Sequence, residues 1–572
     1  MYQTSKKPYL LFLLIILVAA SLRLYQLGSL PQELHRDEAA IAYNAYSLLQ
    51  TGHDEHGQKW PLVFRSFGDY KLPGLIYSSL PFVKILGLNP WSARLPTAIF
   101  AILTLPALFY LARQIGFNKK LALLPMFLLA FDFWHLAGAR NAYEPIAGLF
   151  FSILAWGLWL KALPKPKYFV LAILASATGI LFYNLPLILL PMLFLGSTLI
   201  YRRQIKSKQI IILNFIAILL IGGIFLYATR AISAGKSTTT VVNNQELRDQ
   251  ALGTSYASLV AGVPSLISRV SNHRLLLAGW QMGKGYLSAF DFSYLFFLGD
   301  HNPWHNLRAI GVGDMNPVLV IPFLLGLYFL CRNWKDQKSQ LLILYLLASP
   351  IFSSLTIDAP ITNRLLDLHV AILLISAVGI SYLPKYLLRM GILIYLGFLL
   401  FFLLRYFSIY NFTLSESWQP GLGQMIKDVN KTAPAYEAIF VNDVSLAYIH
   451  FAVGTPFQAA DFVKEAQWYK DGFEQVSQFQ QYHFYNFPAW NVLSYDKVGE
   501  YFNTKQKKLL IVMPGKLDQE KYHIVYEQKN WQGHVIWSAW ATDVTDALRN
   551  LNLLPATEDR IKIKNYLQSL TD

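Results

Sequence analysis

The sequence has few cysteines, a low share of charged residues, and no common nucleotide-binding motif after residue 407. Each of these features argues against one kind of site or protein. Cys331 is the only cysteine, so the chain can form no intrachain disulfide, CxxC pair or thiolate metal cluster. Charged residues make up only 15% of the 572 residues, against about 25% in soluble globular proteins. The part after residue 407 contains neither GxGxxG nor GxxxxGK[ST], so we assign it no nucleotide. A bilayer is therefore the expected solvent for most of the chain.

Apolar residues are abundant instead, at 54% of the chain, and they occur in blocks whose length suits a membrane. A helix needs about 20 apolar residues to cross the ~30 Å of bilayer hydrocarbon. The sequence predicts eleven spans, at about 9–27, 94–112, 121–137, 145–160, 168–182, 185–200, 209–229, 317–331, 341–356, 365–383 and 391–407. The apolar stretch 75–88 is predicted to be interfacial or re-entrant, because a twelfth crossing would invert the charge pattern of the later loops.

The formal charge of +15 lies mostly in short loops, which favours membrane topology over nucleic-acid binding. If the N-terminus is cytoplasmic, the inner loops contain a single acid, Asp336. They contain seventeen cations: Lys6, Lys7, Arg113, Lys119, Lys120, Lys161, Lys165, Lys167, Arg202, Arg203, Lys206, Lys208, Arg332, Lys335, Lys338, Lys385 and Arg389. The positive-inside rule therefore predicts a cytoplasmic N-terminus. We expect the plasma (inner) membrane. A signal peptide over 10–20 is the alternative, but many spans follow it.

The sequence predicts two units. A transmembrane domain covers 1–407, with long outer loops at 28–93 and 230–316, and an extracytoplasmic domain covers 408–572. Short β-rich runs at 438–441, 508–513 and 522–526 alternate with helix-forming segments, which favours an α/β fold for the second unit. The expected architecture is a polytopic α-helical membrane protein with a C-terminal soluble α/β domain. That domain either guides an acceptor or only stabilises the outer loops.

Four motifs on the predicted outer face resemble those of one enzyme family. They are RDEA at 36–39, GHDEHG at 52–57, DYKLP at 69–73 and NPWSARLP at 89–96. Over about 35–160 the chain resembles glycosyltransferase family 39, a GT-C family that contains protein O-mannosyltransferases and lipid A aminoarabinose transferases. The resemblance is looser to 407 and is absent from the C-terminal domain. It implies transfer of a sugar from a polyprenyl-phosphate donor to a glycan, lipid or protein acceptor outside the membrane.

The resemblance also implies that Asp37 is the catalytic base, with Glu38 beside it. An acceptor hydroxyl is a weak nucleophile and gains from a positioned carboxylate, whereas a lipid phosphate leaves as a stable anion. One base and a group of cations would therefore suffice, while a hydrolytic glycosidase requires two carboxylates. The alternative is that Asp37 and Glu38 only cap the N-terminus of a helix.

Cations on the same face are candidates for binding the donor phosphate: Lys71, Arg94, Arg140 and Arg364. Arginine suits bidentate phosphate contacts. The alternatives are an i,i+4 helix pair between Arg140 and Glu144, and contact with lipid headgroups for Lys71 and Arg94. Glu144 is a candidate orienting group. Asp69 is another, but Tyr70 separates it from Lys71, where aminoarabinose transferases tend to have an acid directly before the lysine, so its role stays open.

A metal site and two rival functions remain open at this point. Some relatives use a divalent metal at the lipid phosphate, which makes His301 and His305 candidate ligands, although solvated loop histidines are the alternative. The cluster 53–56 is interpreted as a polar turn. The rival functions are a lipid-linked glycan flippase or transporter, and a glycan polymerase or ligase with diphosphate-linked donors. Charged groups at the outer face favour the enzyme, because transporters more often place them near the membrane midplane.

Overall fold

The fold is known from a computed structural model that describes residues 7–204, 222, 240–300, 302, 311–409, 419–485 without 437, 443, 445 and 472, 509–514, 523–529 and 533–542. The part up to residue 409 is helical, with one short hairpin. Its helices are α1 (Lys7–Leu24), α2 (Arg36–Thr51), α3 (Pro73–Leu86), α4 (Pro90–Ile115), α5 (Lys119–Ala130), α6 (Phe133–Gly138), α7 (Glu144–Ala162), α8 (Phe169–Phe182), α9 (Leu185–Tyr201), α10 (Gln245–Val260), α11 (Ser265–Ser271), α12 (Arg274–Ser288), α13 (Val320–Arg332), α14 (Gln337–Ala348), α15 (Ile351–Ser354), α16 (Leu366–Ile380) and α17 (Lys385–Ser408). The hairpin consists of β1 (Phe64–Ser66) and β2 (Asp69–Lys71), which pair antiparallel.

The predicted spans coincide with helices wherever the structure describes them. Ten of the eleven fall on one or two of the helices above, and the span at 209–229 lies outside the described residues apart from 222. Among the described helices, α4, α7 and α17 are long and apolar enough to cross a membrane. Others, such as α1, α9 and α16, are apolar but shorter. The membrane part is therefore helical as predicted, while the count of eleven stays a prediction.

Breaks between helices follow local sequence signals. The chain leaves the helical conformation at Tyr183, which has φ −150°, so the apolar stretch 168–200 divides where the sequence predicted. Asp132 accepts a hydrogen bond from the backbone N–H of His135 and so caps the start of α6. This cap separates α6 from α5. Helix α3 has 14 residues, a rise of about 21 Å, which is less than a bilayer crossing requires.

Capping boxes begin two of the helices on the predicted outer side. The ring of His35 accepts from the backbone N–H of Asp37, and the Glu38 carboxylate accepts from the backbone N–H of His35, so a capping box begins α2. Gly52 ends α2 with φ 73°, a left-handed conformation that costs glycine little. Asn89 and Ser92 form a second capping box at the start of α4. Both helices therefore begin at fixed points on either side of the hairpin.

The C-terminal part contains a seven-stranded mixed sheet with helices, in agreement with the predicted α/β fold. Its helices are α18 (Leu422–Thr432), α19 (Ala447–Gly454) and α20 (Ala459–Glu465). Its strands are β3 (Ala438–Asn442), β4 (Gln467–Asp471), β5 (Phe473–Phe479), β6 (Tyr482–Tyr485), β7 (Leu509–Pro514), β8 (His523–Lys529) and β9 (Val535–Thr542). The strand order is β4-β5-β6-β3-β7-β9-β8, and β3 pairs parallel with both β6 and β7.

The hydrophobic cores do not divide at the predicted domain boundary. One core lies among the membrane helices, and a second combines α2 and α3 with α18, α19 and the sheet. The Tyr43 ring of α2 packs edge-on against Phe462, with centroids 5.3 Å apart. The Tyr448 hydroxyl lies 3.2 Å from Oε2 of the buried Glu55 and donates to it. The C-terminal domain therefore supports the outer-loop helix that begins with the RDEA motif.

Candidate active site

Glu38 is a buried structural anchor at the start of α2. Its Oε1 accepts from Nε of Arg94 at 3.0 Å and from the backbone N–H of Ala142 at 2.6 Å. Its Oε2 accepts from Nη2 of Arg94 at 3.1 Å and from the backbone N–H of His35 at 2.9 Å. Because both carboxylate oxygens are committed to donors on three different segments, this arrangement suits an orienting role better than a reacting one.

A polar cavity of about 500 Å³ lies in front of the same helix end. Its lining includes His35, Arg36, Asp37, Glu38, Asp69, Lys71, Asn141, Tyr143, Glu144, Tyr183, Asn363 and Arg364. These residues come from the start of α2, the hairpin, the start of α7, the break between α8 and α9, and the turn before α16. Segments that are distant in the sequence therefore deliver one carboxylate-and-cation site, which we call the polar cavity.

Asp37 and Lys71 form the central ion pair of the polar cavity. Lys71 Nζ lies 2.9 Å from Oδ1 of Asp37 and 3.9 Å from Oε1 of Glu144. The Asp37 side chain is 42% exposed and the Lys71 side chain only 16%. Asp37 is therefore the member of the pair that a ligand in the cavity can reach.

The ion pair also determines the protonation of both groups. Burial opposes ionisation of Asp37, but Lys71, followed by His35 and Arg36, outweighs burial and holds the pKa of Asp37 well below its usual range. Burial likewise opposes the charge on Lys71, but Asp37 and Glu144 raise the pKa of Lys71 above its usual value. Burial lowers the pKa of His35, so its imidazole is neutral near pH 7. The resting cavity therefore holds an ionised base beside a permanent cation.

Arg364 is a further cation in the lining of the polar cavity. Its guanidinium lies near the Tyr183 hydroxyl, while its Nη1 is buried with no hydrogen-bond partner among the described residues. The Asn363 Oδ1, the Asn141 Oδ1 and the Tyr143 hydroxyl are likewise buried without a described partner. Native proteins satisfy nearly all buried polar atoms. A polar ligand or ordered water in the cavity would satisfy these groups.

Thr362 fixes the turn that carries Arg364 through hydrogen bonds to two aspartates. The Thr362 backbone N–H donates to Oδ2 of Asp300 at 3.0 Å, and its hydroxyl donates to Oδ2 of Asp314 at 2.6 Å. The Tyr294 hydroxyl lies 2.7 Å from the same Thr362 hydroxyl oxygen. Residues of the predicted second outer loop thus fix the turn that carries the arginine.

The structure places two of the predicted phosphate ligands, Arg94 and Arg140, elsewhere. The guanidinium of Arg94 is fully buried, pairs with Glu38 and donates to the backbone carbonyls of Leu27, Pro31 and Glu33. Contact of Arg94 with lipid headgroups is therefore also wrong. Neither arginine is among the residues that line the polar cavity.

Arg140 stabilises the connection between α1 and α2. It donates to the carbonyls of Leu22, Arg23, Gln26 and Leu30, at 2.8 to 3.2 Å. The predicted alternative, an i,i+4 pair on one helix, is wrong as well, because the helix that contains Glu144 begins at that residue. Buried carbonyls in an irregular segment require donors, and this arginine supplies them.

The metal prediction has no support among the described residues, where no group of three or more histidine, cysteine or acidic side chains is arranged to hold an ion. His301 and His305 lie outside the described residues. The segment 53–56 forms the predicted polar turn, in which Oδ1 of Asp54 accepts from the backbone N–H groups of His56 and Gln58. Neither the turn nor the described cavity residues show a cation site.

Sequence reasoning did not name Asn141, Tyr143, Tyr183 and Asn363 as site residues, although all of them line the polar cavity. Each is next to, or at the edge of, a segment that the sequence analysis did single out. Tyr183 lies at the predicted break between two spans, and Asn363 directly precedes Arg364. Polar residues at span ends on the outer face were therefore the available signal.

Comparisons with known proteins identify the fold. A family model for dolichyl-phosphate-mannose-protein mannosyltransferase matches residues 13–233. The archaeal oligosaccharyltransferase AglB from Archaeoglobus fulgidus, solved with an inhibitory peptide and a dolichol-phosphate, matches with a TM-score of 0.50 and 13% identity, over 94% of this chain and 74% of that one. Apo ArnT from Cupriavidus metallidurans matches with a TM-score of 0.52 and 11% identity, over 94% of this chain and 98% of that one.

A search of curated protein sequences finds no significant match. At 11 to 13% identity the structural matches establish architecture rather than activity. The match to both structures nevertheless extends over nearly the whole chain, including the C-terminal part. Together with the family model, these findings confirm the resemblance that the N-terminal motifs indicated: the chain is an integral membrane protein with the GT-C glycosyltransferase fold.

Proposed function

We propose that the protein is a membrane glycosyltransferase that moves a sugar from a polyprenyl-phosphate donor to an acceptor hydroxyl at the outer face of the membrane. The observation that carries this proposal is the polar cavity, whose lining includes both an accessible, ionised Asp37 and an arginine with an unsatisfied N–H group. One carboxylate base and separate cations for a phosphate are the groups that such a transfer needs.

In the proposed reaction, Asp37 accepts the proton of the acceptor hydroxyl as its oxygen attacks the anomeric carbon of the donor. The bond from that carbon to the phosphate oxygen breaks, and polyprenyl phosphate leaves with the electron pair. Attack from the side opposite the phosphate inverts the anomeric configuration. Arg364 and Lys71 stabilise the departing phosphate, and Glu38 holds the start of α2 through Arg94 and the Ala142 amide.

The position of Lys71 gives donor binding a second effect. In the resting site its ammonium contacts Asp37, which keeps that carboxylate a weak base. A donor phosphate would compete for the same ammonium. Once Lys71 contacts the phosphate, Asp37 loses its nearest opposite charge and becomes more basic. The base would therefore be activated when the donor is present, which limits futile proton transfer.

Related proteins support the choice of donor class. The matching family is described as using dolichyl-phosphate mannose, and the AglB structure contains a dolichol-phosphate. We propose the same class for this chain, a polyprenyl phosphate that carries one sugar. Diphosphate-linked donors of polymerases or ligases are the alternative. A diphosphate carries more negative charge than a monophosphate. The cations that would have to balance it, among the described residues that line the polar cavity, are Arg36, Lys71 and Arg364.

We propose the orientation from charge alone. The seventeen-to-one excess of cations in one set of loops predicts a cytoplasmic N-terminus, with the polar cavity and the C-terminal domain outside. Epitope tags at the N-terminus and after Asp572 test it in intact cells. We expect protease to remove only the C-terminal tag before lysis, and protection of that tag would reverse the orientation.

Purified protein in lipid nanodiscs tests the activity. It is incubated with a panel of radiolabelled polyprenyl-phosphate and polyprenyl-diphosphate sugars and with membrane extract as the acceptor source. We expect release of polyprenyl phosphate from one monophosphate donor, lost in Asp37→Asn and retained in Asp249→Asn, an exposed acid on α10. Movement of an intact lipid-linked sugar across the bilayer, without release and unaffected by Asp37→Asn, would instead establish a flippase.

A further inference from the structure

A second cavity, of about 490 Å³, lies where the membrane part meets the C-terminal domain. Its lining comes from the connection before α2, the start of α4, and the helices α18 and α19, and includes Ser29, Gln32, Glu33, Leu34, Ala39, Asn89, Gln424, Lys427, His450 and Val453. Small-molecule sites usually measure about 300–1,000 Å³. We call it the junction cavity, and its volume is close to that of the polar cavity.

The two cavities flank one turn of helix. His35 to Glu38 line the polar cavity, whereas Leu34 and Ala39, the residues on either side, line the junction cavity. A ligand in the junction cavity would therefore lie beside the segment that carries Asp37. The C-terminal domain supplies its far wall, although no residue of that domain is among those that line the polar cavity in the described part of the chain.

Exposed apolar side chains flank the junction cavity. Tyr25, Ile85 and Trp91 lie in the segments that flank it and are 59%, 77% and 42% exposed. The Trp91 ring packs directly against Gly28, where a Cβ atom would clash with it, and Gly28 also lines the cavity. Aromatic residues are enriched where membrane proteins meet the headgroups. A ligand of the cavity would accordingly be anchored in the membrane.

The polar groups of the junction cavity are balanced in charge. Its lining contains one acid, Glu33, and one lysine, Lys427, whereas that of the polar cavity contains three cations beside four acids. Burial raises the pKa of Glu33 to about 7, although the hydrogen bond from the Gly423 amide and the charge of Arg94 act in the opposite direction. Burial, with His35 and Arg36, lowers the pKa of His450 to about 3. Near neutral pH both groups can donate and accept hydrogen bonds, which suits hydroxyls better than phosphate.

Several of these groups remain available to a ligand. Gln424 lies at the exposed side of α18 and donates through Nε2 to Asp428, so its carbonyl oxygen is not committed by that bond. The Glu33 Oε2 accepts from the Gly423 N–H, and His450 is a half-buried residue of the same lining. Asn89, by contrast, uses its amide to cap α4. Residues of the C-terminal domain thus supply much of the hydrogen-bonding capacity of the junction cavity.

From this placement and chemistry we infer that the junction cavity binds the uncharged, hydroxyl-rich saccharide part of a membrane-anchored acceptor. The inference rests on the proposed transferase function and names the substrate class. It assigns the C-terminal domain to acceptor recognition, since α18 and α19 form one side of the cavity. The donor phosphate, which requires cations, would occupy the polar cavity alone.

Binding of octyl β-glucoside tests the inference without any transfer reaction. The full chain in lipid nanodiscs is titrated with the glycoside below its micelle-forming concentration and followed by saturation-transfer NMR. Ser29→Trp and Lys427→Trp each place a large ring at the lining from an exposed position, one from each side of the junction. We expect each to raise the dissociation constant at least tenfold. Lys431→Trp, exposed on the same helix α18 but outside the lining, is the matched control and should change it less than twofold.

The outcomes separate this inference from the proposed function. Asp37→Asn should bind the glycoside normally, whether or not it abolishes transfer, because Asp37 lines only the polar cavity of the two. Absence of glycoside binding by the wild-type protein overturns the inference. Equal binding by the wild-type protein and both tryptophan variants also overturns it, provided that the variants elute as folded protein. Preference for octyl phosphate over the glycoside would assign the cavity to an anionic headgroup and overturn it as well.

Discussion

The contact between Lys71 and Asp37 leads to a specific prediction about pH. With Lys71 present, the pKa of Asp37 lies well below its usual value near 4, so the carboxylate is ionised throughout the physiological range. A depressed pKa means that the base is lost only when the pH falls through that low value. The kcat/KM of the wild-type enzyme should therefore show no acid limb from Asp37 above about pH 4.

Replacing Lys71 by methionine removes the main group that favours the ionised form. Burial, the largest single influence on Asp37, then raises the pKa unopposed by the ammonium. An adjacent opposite charge usually shifts a carboxyl group by about 1–3 units. Because Asp37 is 42% exposed, solvent screening favours the low end of that range, and one unit corresponds to ~1.4 kcal/mol. We therefore expect the acid limb of Lys71→Met to lie at higher pH than that of the wild type.

The measurement is the pH dependence of kcat/KM for polyprenyl-phosphate release, between pH 4 and 8 in nanodiscs. Lys71→Arg keeps the charge and should keep the flat acid side, and Lys59→Met, at an exposed lysine of the same loop, should match the wild type. A uniform loss of activity in Lys71→Met, with no movement of the acid limb, would show that Lys71 binds phosphate but does not control the basicity of Asp37.

The other predictions concern the individual roles of the charged groups. Asp37→Asn should lower the transfer rate about 10²–10⁴-fold with donor affinity retained, and equal losses of both would contradict a base. Arg364→Met should weaken donor binding about 10- to 100-fold in a filter-binding assay, since a charge-assisted hydrogen bond contributes ~1.5–3 kcal/mol, and unchanged affinity would exclude it from the phosphate. Arg140→Met should lower the melting temperature but leave donor affinity of the folded protein within about twofold, whereas a selective loss of affinity would restore its predicted role. Glu38→Gln leaves Arg94 unpaired and buried, so it should destabilise the fold by ~3–5 kcal/mol in denaturant melts, and a stable but inactive variant would indicate direct catalysis.

The sequence identified the parts of the site that adjoin span ends. Asp37, Lys71, Glu144 and Arg364 each lie within a few residues of a predicted helix boundary on one membrane face, and the structure brings all four to the polar cavity. Topology alone limits such residues to one surface, which makes their convergence foreseeable. Which of them touch, and at what distance, depends on the hairpin and on the break after α8, and no sequence pattern determines those distances.

Arg94 and Arg140 show where that argument ends. Both lie at the predicted outer face, and by position alone they are indistinguishable from Lys71 and Arg364. What separates them is the irregular connection between α1 and α2, whose buried carbonyl groups need donors. The number of unpaired carbonyl groups in a loop follows from its folded path and not from its composition. Two of the four predicted phosphate ligands were therefore structural donors.

The C-terminal domain shows a different limit of sequence reasoning. The change in composition after residue 407 marks a change of solvent, from lipid to water, and the chain was divided there for that reason. Packing follows apolar contact instead, and the α2 side of the second core consists of outer-loop residues such as Tyr43, which pack against the C-terminal helices. Helix α2 thus has the C-terminal domain on one side and the membrane helices on the other. Deleting the domain would remove support from the helix that carries Asp37, so truncation cannot separate acceptor recognition from chemistry. Single substitutions in the junction cavity can, because they change its shape while the shared core stays intact.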